Sequence, residues 1–187
     1  PPPLSADDVE VRKVPLCCNT TTSSEPDSIM KLINHYSSWR DLKRAAAWFI
    51  RLATIYRKKK KITGPLLKEE VNLAGTRLVL YSQNQSFTEE KLYLKKHDNV
   101  FKSSRLITLR PYLDADDVIR AKGRLKNADS LKKNPLILAA NHEISEKIVR
   151  DAHGKSHVGP EWTMSELVNQ NILIIKSRPL IKRVVKS

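Results

Sequence analysis

The chain has 187 residues, of which 40% are hydrophobic and 29% charged, with a net charge of +14. That is enough apolar material for a domain-sized core, and no run approaches the roughly 18 uncharged apolar residues of a membrane span. A basic excess of this size attracts polyanions, chiefly nucleic acid or an anionic membrane surface. Only five glycines occur, and neither GxGxxG nor GxxxxGK[ST] is present, which argues against a glycine-rich nucleotide cradle.

Residues 1–28 read as a linker. They are rich in proline and carry the polar run Asn19-Thr20-Thr21-Thr22-Ser23-Ser24, which cannot bury enough apolar surface to offset its ordering entropy. No basic n-region or apolar h-region opens the chain, and no initiator Met, so the expectation is the interior of a longer polypeptide rather than a secreted protein. Cys17 and Cys18 are adjacent, so they close no loop, and no histidine lies near them to activate a thiol.

The period of Ile29, Leu32, Ile33, Tyr36, Trp39, Leu42, Ala46, Phe49, Ile50 and Ala53 predicts one long helix over 29–57, capped by Asp27 or Ser28. It runs into Arg57, Lys58, Lys59, Lys60 and Lys61, cations that suit a helix C-terminus, and Gly64-Pro65 stops it. Leu66, Leu67, Val71, Ala74, Leu78 and Tyr81 predict a second helix over 66–82, and a cap-like Thr88 predicts a third, short one. The first two form a helical hairpin. Its aromatics, Trp39, Trp48, Tyr56 and Tyr81, are expected in the core.

Beyond residue 105 the pattern changes. Leu106-Ile107-Thr108-Leu109 is strand-like, with Pro111 closing it, and 118–125 and 135–138 add a small β element. Asp114, Asp116 and Asp117 fit a solvated turn better than a cation loop, since no glycine or glutamate follows at the required spacing. Ile144, Ile148, Val149 and Ala152 then form a helical stripe ending at His153. Thr163 and Glu166 have capping-box spacing, 171–175 is a short apolar run, and Pro179 starts a last helix over 180–185 that exposes Lys182, Arg183 and Lys186. The expected fold class is mainly α with a small β element (α+β): a helical hairpin, a short β hairpin and a small helical module.

His153 and His157 stand four apart at the end of that stripe, a spacing that lets two imidazoles reach one tetrahedral zinc. His142 is the nearest candidate for a third ligand and Asp151 for a poor fourth. The cations concentrate in two places: 31–62 holds ten Lys and Arg against one acid, and 176–187 holds five against none.

The order Leu109-Arg110-Pro111-Tyr112-Leu113-Asp114, Val118-Ile119-Arg120, Gly123-Arg124-Leu125, Pro135-Leu136-Ile137-Leu138, His142, Ile148-Val149-Arg150-Asp151-Ala152-His153, His157-Val158-Gly159, Thr163, Leu167, Arg178 and Val184 resembles part of a Bel/Pao-type LTR-retrotransposon polyprotein. That part leads into the integrase and carries its HHCC zinc-binding module. The resemblance divides the chain into a linker (1–28), a helical connector (29–104) and an integrase zinc-binding-like region (105–187). It implies His153 and His157 as the histidine pair, one residue closer than is common in that group. The cysteine pair would follow Ser187, so the zinc site is incomplete within these residues.

The resemblance further implies an intracellular protein of cytoplasm and nucleus. It would support DNA integration by binding DNA, the rest of the polyprotein or integrase, and further copies of itself. It would not be an enzyme over these residues, because the catalytic core lies downstream. The nucleic-acid contacts expected are Arg57, Lys58, Lys59, Lys60, Lys61, Lys182, Arg183 and Lys186. The rival is a decayed or domesticated helical protein-interaction module. A membrane partner is not expected, because the periodicity of the helix ending in 57–61 leaves it no apolar face free of core duties.

Overall fold

The computed structural model describes residues 28–59, 62–122, 134–154 and 159–186. The fold is α+β, with seven α-helices and one four-stranded sheet among those residues. In chain order these are α1 (Ser28–His35), α2 (Trp39–Lys58), α3 (Lys68–Ser86), α4 (Thr88–His97), β1 (Pro111–Leu113), β2 (Ile119–Ala121), β3 (Leu136–Ala139), α5 (Glu143–Gly154), α6 (Pro160–Asn169), β4 (Ile172–Ile175) and α7 (Ser177–Lys186).

The helix expected over 29–57 is two helices. Ser37 and Ser38 interrupt it, because short hydroxyl side chains compete for backbone groups and favour caps over helix interiors. Ser38 is extended, and its hydroxyl accepts from the Asp41 amide at 3.4 Å, which starts α2 afresh. Asp27, the other expected cap, lies outside the described residues. α2 ends on Lys59 in the left-handed region. The turn that follows is held from inside the hairpin by the buried Arg51. Its guanidinium donates to the carbonyls of Gly64 (2.7 Å) and Pro65 (2.8 Å), and it pairs with Glu70. Small residues line the α2–α3 crossing: Ala46, Ala47, Ala74 and Gly75 are all buried. A Cβ on Gly75 would lie 3.1 Å from the Lys43 side chain, so glycine permits this close approach.

Leu106-Ile107-Thr108-Leu109 is not a strand: 107–109 is a turn of 3₁₀ helix behind a fully buried Leu106, and Arg110 takes a left-handed φ of 45°. Pro111 opens β1 instead of closing a strand, which an edge strand tolerates at its first residue. Thr163 is not a cap. Gly159 and Pro160 start α6, and Thr163 is buried inside it.

The sheet order is β1-β2-β3-β4, with the first two pairings antiparallel and β3–β4 parallel. The apolar run 172–175 is therefore a strand, and α5 and α6 form the crossover that a parallel pair requires. Alternation along β3 sets a core on each face of the sheet. Leu138, with Ile174 of β4, joins the larger core, which runs from Ile33 and Trp39 to Ile181 and Val184. Ile137 and Ala139 join the smaller core around Phe87, Leu94 and Leu106. Both sides of residue 105 thus contribute to one larger core.

One buried side chain ties α3 to the sheet. The Gln83 amide sits where β2 and β3 separate, and donates to the carbonyls of Ile119 (2.9 Å) and Ile137 (2.7 Å). Its carbonyl oxygen accepts from the Ile119 amide at 2.8 Å. Gln83 thereby supplies the bonds that the two strands would otherwise exchange at this rung.

Candidate nucleic-acid interface

Arg40, Lys43 and Arg44 are spaced i, i+3, i+4, so α2 presents them on one side. That side faces the start of α3. Together with Lys68, Asn72, Leu66 and Trp48 they line an open groove of about 400 Å³ between the two helices. A second depression of about 330 Å³ continues it past Lys43 and Asn72 toward Trp39 and Arg120. Arg40, Arg44 and Lys68 make no ion pair among the described residues, and no acid lines the first depression. Lys43 lies 5.4 Å from the ring centroid of the buried Trp39. A concave surface lined by four cations and no carboxylate carries a positive potential.

Trp48 is not in the core, contrary to expectation: it is 45% exposed on the groove wall, with the Arg51 guanidinium 5.0 Å from its ring centroid. Tyr56 is 88% exposed, and Phe49 and Leu52 are also exposed on the outer side of α2. The periodicity misled because α2 is apolar nearly all round between residues 45 and 56, so pattern alone could not say which stripe faces the core. Contrary to expectation, α2 therefore carries an apolar face with no core duty. No helix among the described residues is long and apolar enough to cross a membrane.

The expected nucleic-acid residues fall on two helices. Arg57, Lys58 and Lys59 are exposed at the C-terminal end of α2, while Lys60 and Lys61 lie outside the described residues. Lys182, Arg183 and Lys186 are exposed on α7, where Arg183 pairs with Glu146 of α5 at 2.8 Å. The groove cations were not singled out from the sequence, although their i, i+3, i+4 spacing was readable there. The acidic turn is more than solvated. Asp114 accepts from the Asp116 and Val118 amides and pairs with Arg120, and Asp117 pairs with Lys91 and Lys95.

His153 ends α5 with Nδ1 3.5 Å from the Thr163 hydroxyl, and His157 lies outside the described residues. Among the described residues no three His, Cys, Asp or Glu side chains converge as metal ligands. His142, the candidate third ligand, has both ring nitrogens engaged. Its Nδ1 accepts from the Ile144 amide at 3.1 Å, capping α5, and its Nε2 lies 3.1 Å from the Gln85 side-chain oxygen. That arrangement requires the neutral ring with the proton on Nε2. Burial lowers the His142 pKa, against a smaller opposing pull from Glu143. The unfolded chain therefore takes up the proton first. Stability from this group is complete above the ordinary pKa of about 6.5 and falls as pH drops through it toward the folded value. Urea midpoints should fall between pH 7.5 and 5 by more in the wild type than in His142→Asn, whose oxygen can keep the cap without titrating. Equal falls would assign the pH dependence to another group.

No protein-family model, curated protein or solved structure matches the chain.

Proposed function

We propose that this chain is a non-catalytic, nucleic-acid-binding part of a retrotransposon polyprotein that supports DNA integration. The single observation that carries the binding role is the groove between α2 and α3, lined by Arg40, Lys43, Arg44 and Lys68 and by no acid. The net charge of +14 supports it as well. The assignment to integration rests on the resemblance of 105–187 to the integrase HHCC region. In this reading zinc would be held by His153 and His157 with a cysteine pair beyond Ser187. Two ligands bind metal weakly, so no function of these residues is routed through it.

The test is a titration of the chain with duplex DNA across salt concentrations. Binding should be weak, independent of sequence and steeply salt-dependent. Replacing Arg57, Lys58 and Lys59 by Gln should flatten log K against log salt by about 0.9 for each phosphate no longer neutralised. An unchanged slope would leave these three as a solvated helix end, and no binding even at low salt would end the nucleic-acid reading. A second reading, a helical protein-interaction module with no part in integration, is favoured by the exposed Phe49 and Leu52 on α2.

A further inference from the structure

Resting on the nucleic-acid reading, we propose that α2 is a track for an unpaired nucleic-acid strand. The Trp48 indole is the stacking platform, and the groove cations hold the phosphates beside it. The sugar is not read.

Three observations converge on this. The first is the placement of the aromatic. Trp48 stands 45% exposed in the wall of a cationic groove, where a core-forming sequence would have hidden it. The second is its bracing. Arg51 covers the ring from one side and is itself fixed by Glu70 and by the carbonyls of Gly64 and Pro65. The indole is therefore held in place before any ligand arrives, which reduces the ordering cost of stacking on it. The third is the order along the helix. Arg40, Lys43 and Arg44 precede Trp48 by one to two turns. Cations beside an exposed ring are how single strands are bound without sequence preference, since every base has a π face and every nucleotide a phosphate.

Pairing state follows from the same chemistry. Bases in a duplex are already stacked on one another, and an indole reaches them only if one is extruded. Phosphates are offered by duplex and single strand alike. The cations therefore contribute to both, and Trp48 contributes only to the unpaired strand. A second copy of the chain is a poor occupant of this face, because its own groove would bring four cations against four. An anionic membrane would engage Phe49 and Leu52 on the outer side rather than the groove.

The experiment measures anisotropy of labelled oligothymidylate and oligouridylate of about 15 nucleotides, and of a duplex of the same length, against the full chain. Both single strands should bind more tightly than the duplex. Trp48→Ala should weaken them by about fivefold to a hundredfold while changing duplex binding less than about twofold. Trp48→Phe should fall between. If Trp48→Ala does not fold, as judged by circular dichroism, Trp48→Phe against Trp48→Leu makes the same comparison in a folded chain. Equal weakening of strand and duplex, no effect of Trp48→Ala, or binding of only one sugar type would overturn the stacking assignment and leave the nucleic-acid reading standing. Failure to bind any of the three oligomers at low salt would instead remove the reading on which it rests. Preferential binding to phosphatidylserine vesicles, abolished by Leu52→Glu and not competed by oligothymidylate, would also overturn the track.

Discussion

Gln83→Met should lower stability by about 4–6 kcal/mol, a large part of the 5–15 kcal/mol typical of a domain. Methionine matches glutamine in length, so the change removes polar atoms and leaves little cavity. What it strands is the amide and carbonyl of Ile119 and the carbonyl of Ile137, all bonded to Gln83. Each buried backbone group left without a partner costs about 1–3 kcal/mol. Gln83→Glu separates this account from a packing one. At neutral pH a carboxylate would face two carbonyl oxygens and should destabilise at least as much. Protonation restores one donor, so the Glu variant should regain ground on the wild type as pH falls. Denaturant unfolding followed by circular dichroism reads both effects. A Met variant as stable as the wild type would show that β2 and β3 close the rung without Gln83.

Replacing Arg40, Lys43, Arg44 and Lys68 together by Gln should have the largest effect on binding. If each neutralises one phosphate, the slope of log K against log salt falls by about 0.7 per phosphate on a single strand and 0.9 on a duplex. For all four at 0.1 M salt the affinity should drop by roughly two to four decades. The fold should tolerate the change. Arg40 and Lys68 are exposed, and Gln retains enough of the Lys43 stem to keep packing beside Gly75. The same substitutions on Lys182, Arg183 and Lys186 make the comparison. Arg183 is already paired with Glu146, so the α7 variant should weaken binding less. Equal weakening would mean that net charge, not the groove, attracts the polyanion.

Much of the architecture was legible in the residues. Ile144, Ile148, Val149 and Ala152 are all buried on α5, as their spacing required, and 180–185 falls within α7 with Pro179 in its first turn. The second strand of the β hairpin was legible within 118–125, but the first, 111–113, was not: the apolar run 106–109 mimics it, and Leu106 is buried in a turn. The break at Ser37-Ser38 was hidden because hydrophobic periodicity continues across it and two serines make a weak local signal. β4 was hidden because four apolar residues carry no mark of being strand or helix. Its identity depends on β3, more than thirty residues away. The groove was half visible: the spacing of Arg40, Lys43 and Arg44 was there, but Lys68 joins them only through the packing of α3. The exposure of Trp48 was out of reach, because composition and period both assign a tryptophan in an apolar helix to the core.

The parallel pairing of β3 with β4 also sets an order of assembly. The α2–α3 and α3–α4 pairs and the β1–β2 hairpin join neighbours in sequence and can form as soon as their residues exist, whereas α1 waits for α5, on which it packs. The sheet cannot be completed until 172–175 has been made, because loop closure over α5 and α6 must precede the β3–β4 bonds. A chain cut between α5 and β4 therefore presents β3 as a bare edge, Leu136-Ile137-Leu138-Ala139, apolar on both faces and with its backbone unpaired on the side away from β2. Such a fragment would carry the whole α2–α3 groove and still be aggregation-prone, so the last sixteen residues described, those from Asn171 on, govern solubility although none of them lines the first depression.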